Sequence, residues 1–253
     1  MKLNDEVRAF WEKEPCGTGE GIVGGITPGT LGWYEAVEEH RYRVEPFIHS
    51  IAQFTRYHGK MLLEVGVGAG TDHLQWARAG AICNGVDLTA AAIETTRRRF
   101  ALYGLRTELK HIDAEKLPYP DATFDVVYSW GVIHHSEHPQ AILAEIHRVL
   151  KPGGRLIGMM YGRHSVLTLK MWIRHALLKA RPWRSFADVV WHHMESIGTK
   201  AYTQKELMRL LSVFRNVELI PLITPYDTSR LPGWFTQFFP AHWGWFIGFR
   251  SIK

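Results

Sequence analysis

A doubly wound α/β fold, a mostly parallel sheet with helices on both faces, is predicted by three observations. Residues 60–162 alternate short apolar runs with amphipathic helical patterns, the rhythm of successive βαβ units. Residues 61–65 make an apolar run broken only by Glu64, and it feeds a turn where Gly66, Gly68 and Gly70 alternate before Thr71-Asp72 opens a helical pattern. A second run, residues 81–87, ends in Asp87, about 20 residues past the first glycine, where a strand-end carboxylate meets the ribose of a nucleotide. Glycines at such a turn admit a ligand to the backbone, and the helix behind them presents free N–H groups. The features together predict a nucleotide-like ligand at the carboxyl edge of the sheet.

The kind of nucleotide is narrowed by mismatches. No Gly-Lys-Ser/Thr follows the turn, so a Walker phosphate loop is excluded. A dinucleotide fingerprint needs a third glycine where Thr71 stands, which makes a dehydrogenase a distant reading. Glu64 would repel a pyrophosphate and suits a cationic ligand. The stretch Glu64-Val65-Gly66-Val67-Gly68-Ala69-Gly70 resembles motif I of the class I S-adenosylmethionine-dependent methyltransferases, whose ligand carries a sulfonium and no phosphate. Asp87-Leu88, the string LPYPDATFDVVYSWGVIHH (residues 117–135) and LKPGGRL (residues 150–156) resemble later motifs of the family's small-molecule branch, in order.

The resemblance implies a Rossmann-like seven-stranded sheet with its last strand antiparallel. It implies S-adenosyl-L-methionine as cofactor and S-adenosyl-L-homocysteine as product. The implied cofactor residues are Glu64, Gly66, Gly68, Gly70, Asp72, Asp87 on the ribose and Leu88 beside the adenine. Asp113 matches the acid that accepts from the adenine amino group, with Ala114 and Glu115 next to it, and Ser129, Trp130 and Gly131 follow at the end of the fourth strand.

Taken in order, residues 1–59 read as an N-terminal helical extension. Residues 4–11 suit a short helix, and residues 33–57 carry Tyr34, Val37, Arg41, Val44, Ile48, Ile51 and Phe54 at helical spacing, with Pro46 kinking or dividing the pattern. Two readings stand for this extension: a cover over the cofactor and acceptor, or packing at the sheet edge. In the core, residues 60–162, Thr89 caps a helix over residues 90–103, and Arg97, Arg98 and Arg99 near its end read as a solvated face. Strands follow at residues 106–112 and 124–130. His134, His135 and His138 have a metal-like spacing, but paired histidines occur at this position in metal-free members of the family, and Pro139 disfavours a helix through His138, so no metal is expected.

Residues 163–202 are an insertion between the fifth and sixth strands. Within it, residues 165–180 predict one helix with apolar and basic faces, a lid, a dimer contact or a membrane-surface helix. Residues 203–253 complete the sheet: Thr203 caps a helix with Glu206 in the capping-box position, and strands are expected at residues 217–223 and 244–252. Trp234, Phe235, Phe238, Phe239 and Trp243 form an aromatic connection between them, packed at the sheet edge or bordering an acceptor pocket.

The composition is that of an ordinary globular protein, 46% hydrophobic and 22% charged over 253 residues. Cys16 and Cys83 lie far apart without metal spacing, no signal peptide is evident and no apolar run spans a bilayer, so a cytoplasmic protein is expected, with peripheral membrane contact a minor alternative. A net charge of +5 does not demand nucleic acid, and the fourth strand ends Tyr128-Ser129-Trp130-Gly131 in place of the Asn/Asp-Pro-Pro-Tyr/Phe motif of base-flipping relatives. The expected activity is methylation of a small, apolar or aromatic acceptor at O, N or C, by a monomer or homodimer. Nucleic-acid or protein methylation and a non-catalytic cofactor-binding module are the alternatives. Candidate catalytic residues are His134, His192, His193 and Glu195; candidate acceptor contacts are Tyr42, His134, Tyr161 and Arg163.

Overall fold

The glycine-rich turn sits where the sheet reverses its winding. In the computed structural model, which describes residues 2–229 and 239–253, seven strands form one sheet in the order β3-β2-β1-β4-β5-β7-β6. They are β1 (Met61–Val65), β2 (Ile82–Asp87), β3 (Glu108–His111), β4 (Phe124–Trp130), β5 (Leu150–Tyr161), β6 (Arg215–Leu222) and β7 (Phe246–Ile252). The pairs β1–β2, β2–β3, β1–β4 and β4–β5 are parallel, and β7 runs antiparallel between β5 and β6, as expected. The winding runs outward from β1 to β3 and then restarts at β4 on the other side. The crevice beyond the carboxyl ends of β1 and β4 is therefore the switch point where such sheets take ligands.

Two helices open the chain, α1 (Leu3–Trp11) and the single-turn α2 (Glu20–Val23). The expected helix over residues 33–57 is divided: α3 (Leu31–Val44) ends at Glu45, whose backbone leaves the helical region (φ −125°, ψ 56°) ahead of Pro46, and α4 (Ile48–Ala52) follows. The core helices are α5 (Thr71–Arg78), α6 (Ala90–Leu102) and α7 (Pro139–Val149). The insertion holds α8 (Val166–His175) and α9 (Phe186–His193), and α10 (Gln204–Leu210) and α11 (Pro225–Thr228) complete the set. The one helix expected over residues 165–180 is shorter than predicted. It breaks at Ala176, a 3-10 turn spans Leu177–Lys179, and Ala180 in the left-handed region (φ 54°) turns the chain back. Thr203 and Glu206 form the expected capping box on α10.

Alternation along the strands divides the core between two faces. Leu63, Val65, Val127, Leu156 and Met160 face α7 and α10 through Ile142, Ile146, Leu207 and Leu211. Leu62, Val126, Tyr128, Trp130, Ile157, Met159 and Tyr161 face the other way, against Ile48, Ile51, Phe54 and Trp76. This second face carries the aromatic residues, and it opens at its carboxyl end into the crevice. Trp234, Phe235 and Phe238 of the expected aromatic connection lie outside the described residues.

Candidate functional site

A cavity of about 370 Å³ runs through this crevice. One half is built around the β1–α5 turn. Gly66 and Gly68 both adopt left-handed backbone (φ 82° and 52°). A Cβ on Gly66 would overlap Val132, whereas one on Gly68 would project into open space with no atom within 4 Å. Gly68 N donates to Asp87 Oδ2 at 3.1 Å, and Asp87 Oδ1 accepts from Thr89 N and Thr89 Oγ1 at 2.9 and 2.8 Å. Burial pushes the Asp87 carboxyl up, against those hydrogen bonds. Leu88, Thr89, Ala92, Asp113 and Ala114 continue this wall. Asp113 Oδ2 accepts from Asn4 Nδ2 at 2.8 Å, so the N-terminal helix α1 is tied directly to the rim.

Acidic groups surround the floor. Asp72, on the first turn of α5, accepts from Arg41 Nη2 (2.8 Å), Tyr128 OH (2.8 Å) and Tyr42 OH (3.0 Å). Burial alone would raise its carboxyl, but Arg41 and the hydroxyls reverse the sign and hold it below the usual range. Arg41 Nη1 also reaches Glu45 Oε1 at 3.2 Å, and Glu45 Oε2 accepts from Trp130 Nε1 at 2.9 Å. Glu64 lies 3.0 Å from His73 Nδ1, while His73 Nε2 meets Thr107 Oγ1 at 2.8 Å. Thr107 donates its own proton to Cys83 O, so it accepts from Nε2–H and leaves Nδ1 an acceptor. Glu64 therefore faces His73 as a neutral acid, in accord with burial raising the carboxyl well above its ordinary value and pushing His73 down to about 3.

The other half of the cavity is apolar, with walls of Trp130, Met159, Leu167, Met194, Trp245 and Phe246. Tyr161 stacks on Trp245 with ring centroids 4.2 Å apart, and its hydroxyl donates to Glu195 Oε2 at 2.9 Å. Glu195 follows α9 in a left-handed conformation (φ 48°), the position that turns the chain after a helix. Burial first and Glu45 second push its carboxyl up to about 7, with Tyr161 acting the other way. His135 Nε2 lies 3.4 Å from the same Glu195 oxygen. His135 Nδ1 lies 3.0 Å from both Thr199 Oγ1 and Ser196 Oγ, Thr199 donates to Ser196 O, and His135 Nε2 makes no hydrogen bond among the described residues. Cys16 also lines this cavity; burial and then Glu195 push its thiol up to about 12.

The sequence-derived candidates divide accordingly. Glu64, Gly66, Gly68, Asp72, Asp87, Leu88, Asp113, Ala114, Trp130, Gly131, Tyr161 and Glu195 line the one cavity. Gly70 sits behind the turn, where a Cβ would press on Thr96. Ser129 is buried in the sheet with its hydroxyl on Val65 O. Glu115 is occupied by Asn4, Ser136 and His138 and supports the rim from outside. His134 is displaced by its neighbour: the 3-10 turn Ile133–His135 sends it under Tyr161 (3.8 Å between ring centroids) with neither ring nitrogen hydrogen-bonded, and His135 lines the cavity instead. His192 and His193 face away from the cavity, His192 toward Asp188 and His193 stacked on His175. Arg163 pairs with Glu206 at 2.9 Å, and Tyr42 acts through Asp72.

Arg41, Glu45, Cys16, His135, Met194, Trp245 and Phe246 are cavity residues that the sequence analysis did not name as cofactor, catalytic or acceptor residues. For Arg41 a signal existed: a charged residue on an otherwise apolar helical stripe has to find a buried partner. The histidine cluster also resolves, since His138 pairs with Glu115 and no group of three metal-ligating side chains occurs among the described residues.

This is the ligand crevice of a class I S-adenosylmethionine-dependent methyltransferase fold, and the comparisons agree. Residues 63–158 match the sequence profile of the methyltransferase domain family. The chain is 40% identical over 111 residues to a phthiotriol/phenolphthiotriol dimycocerosates methyltransferase of Mycobacterium ulcerans, covering 43% of this chain and 40% of that protein. It is 37% identical over 122 residues to a fatty-acid O-methyltransferase of Mycolicibacterium smegmatis, covering 47% of this chain and 43% of that one. The chain thus matches about two fifths of the length of these curated relatives. The crystal structure of the 4+2 cyclase SpnF shares the fold, with a TM-score of 0.61 at 20% identity over 99% of this chain and 93% of that one. Residues 63–158 thus carry the match to the methyltransferase domain family, within a sheet of the class I methyltransferase fold.

Proposed function

We propose that this chain methylates a hydroxyl group of an apolar small molecule, using S-adenosyl-L-methionine. The carrying observation is one continuous cavity that joins the Gly66–Asp87 wall to an aromatic chamber into which Glu195 presents a carboxyl raised to about 7. The residues present fit the cofactor. Gly68 leaves open space where any other residue would place a Cβ, and Asp87 presents a half-buried carboxylate beside it for ribose hydroxyls. Asp113 suits the adenine amino group, and the acids around Arg41 suit a ligand bearing positive charge. When bound, S-adenosylmethionine supplies an electrophilic methyl on a sulfonium that leaves as a neutral thioether.

The chain's own tasks are then alignment, exclusion of water and removal of one proton. Trp130, Tyr161, Trp245 and Phe246 exclude water from the chamber. Glu195, when ionised, takes the acceptor's hydroxyl proton onto its carboxylate. Tyr161 OH holds that carboxylate in place, and His135 Nε2 lies 3.4 Å from the same oxygen. The relatives named for fatty-acid O-methylation and for dimycocerosate methylation support an apolar, oxygen-bearing acceptor. Residues 1–59 and 163–202 serve as covers, since Asn4, Trp11 and Cys16 from the first and Leu167, Met194 and Glu195 from the second line the cavity.

Calorimetry with S-adenosylmethionine, S-adenosylhomocysteine and NAD tests the cofactor, and labelled methyl transfer to hydroxylated lipids and polyketides tests the acceptor. A base that must be ionised makes activity rise with pH through about 7 and level off above it. Glu195→Gln should lower kcat by about 10²–10⁴-fold and abolish that rise while leaving cofactor affinity unchanged. Binding of NAD alone, or a Glu195→Gln enzyme with an unaltered pH profile, would refute the reading.

A further inference from the structure

We propose that the outer end of the 163–202 insertion is a docking face for an anionic phospholipid bilayer. The proposal rests on the protein surface and is independent of the cavity chemistry. Between α8 and α9 the chain makes a tightly held turn. Trp172 Nε1 donates to Arg184 O at 2.7 Å, Arg181 N donates to Ala176 O at 2.8 Å, and the His175 and His193 rings stack at 4.1 Å. On this fixed turn Ile173, Leu177, Leu178 and Trp183 are 37%, 48%, 74% and 77% exposed, the last two the most exposed large hydrophobics among the described residues. Single exposed apolar side chains are ordinary, but four within eleven residues, at the end of α8 and on the anchored turn after it, are not.

The charge along this segment has one sign. Arg174, Lys179 and Arg181 are exposed, and among the described residues their side chains make no hydrogen bond or ion pair. No Asp or Glu occurs from residue 146 to residue 187. The next acid, Asp188, is taken up by Arg184 and His192. A leucine–tryptophan wedge ringed by unpaired cations complements the interface of an anionic membrane, where apolar side chains enter the acyl boundary and the cations meet phosphates. A second copy of the chain is a poor occupant, because a two-fold contact would press these cations against their own equivalents with no acid to answer them. No helix among the described residues is long and apolar enough to cross a membrane, so this face lies on a bilayer and does not span it.

The placement has a functional consequence. Leu167, in the first turn of α8, lines the acceptor chamber, and the ten-residue helix is about 15 Å long. Docking by its far end holds the chamber roughly one helix length from the layer where apolar molecules partition.

Vesicle flotation of the full chain tests this, comparing phosphatidylglycerol–phosphatidylcholine vesicles with pure phosphatidylcholine. The wild type should float with the anionic vesicles, less so at high salt, and remain behind with the zwitterionic ones. The triple substitution R174E/K179E/R181E should lower partitioning about a hundredfold, and L178S/W183S about tenfold. Brominated lipids should quench Trp183, read as the difference between the wild type and Trp183→Phe, which alters no packing inside the fold. Failure to float, equal binding to both vesicle types, or unaltered binding by both multiple variants would overturn the proposal. A concentration-dependent dimer broken by the same substitutions, with no vesicle binding, would overturn it in favour of self-association.

Discussion

Arg41 is the cation on which two buried carboxylates depend, and replacing it with Met isolates that dependence. Its guanidinium lies 2.8 Å from Asp72 and 3.2 Å from Glu45, whose side chains are 4% and 6% exposed. Removing one partner of a buried pair costs about 3–5 kcal/mol, because the remaining charge is left without compensation. Two features of the site reduce that cost. Asp72 keeps the hydroxyls of Tyr42 and Tyr128, and Glu45 keeps the Trp130 indole and already has its carboxyl raised by burial, so it protonates readily. Arg41→Met should therefore destabilise the fold by about 2–4 kcal/mol at pH 7. The sign of the pH effect follows from Asp72. In the wild type its depressed pKa contributes stability above the unfolded value near 3.9, lost as pH falls through the folded value. Without Arg41 burial dominates and the carboxyl takes a proton at higher pH, so acidification relieves the variant first. Urea denaturation followed by circular dichroism should show the gap between the two proteins narrowing from pH 7 to pH 5. A gap below about 1 kcal/mol at pH 7, or one that widens on acidification, would show that Asp72 is not held as a buried anion.

Asp87→Ala should weaken S-adenosylmethionine binding by about 1–3 kcal/mol by calorimetry, the scale of a lost hydrogen bond to a charged group; unchanged affinity would remove Asp87 from the ribose. His73, His134 and His135 are all buried and held neutral, far below the ordinary histidine value. A depressed histidine binds its proton only on unfolding, so each withdraws up to about 1.4 kcal/mol of stability per pH unit as pH falls below roughly 6.5. Stability should therefore drop from pH 7 to pH 5.5, and His134→Phe should lessen the slope by about a third if the three contribute equally. His134→Phe also removes two unpartnered buried nitrogens, so its stability at pH 7 should match or exceed the wild type. A collapse of kcat in this variant, with the cofactor still bound, would return His134 to the chemistry.

How much of this was legible in the sequence follows from how each part is built. The wall proposed for the cofactor was legible as a cavity wall because it comes from strand ends and the turns directly after them. Gly66 and Gly68 stand at the end of β1, Asp87 at the end of β2 and Gly131 at the end of β4, so neighbours in sequence are neighbours in space. Where that reading erred, the error was one of facing. Ser129 points into the sheet and its neighbour Trp130 into the crevice, and a one-residue uncertainty in facing is enough to exchange His134 for His135.

The acceptor chamber is a different kind of object. Its walls come from β4, β5, β7, the first turn of α8, the residues after α9 and the segment around Cys16, and only tertiary packing brings these together. No local pattern could separate Glu195 from His192 and His193. The three are close in sequence, but α9 turns the histidines outward and its left-handed exit turns Glu195 inward. Arg41 marks the boundary between the two cases. Its place on an apolar stripe was an unused signal of a buried ion pair, while the identity of the partners, one on its own helix end and one at the start of α5, was fixed only when α3 packed across the crevice. That packing puts one cation between the cofactor wall and the chamber, so the N-terminal extension is part of the site's electrostatics as well as its cover. The Arg41→Met comparison therefore tests the assembly of the site from distant segments.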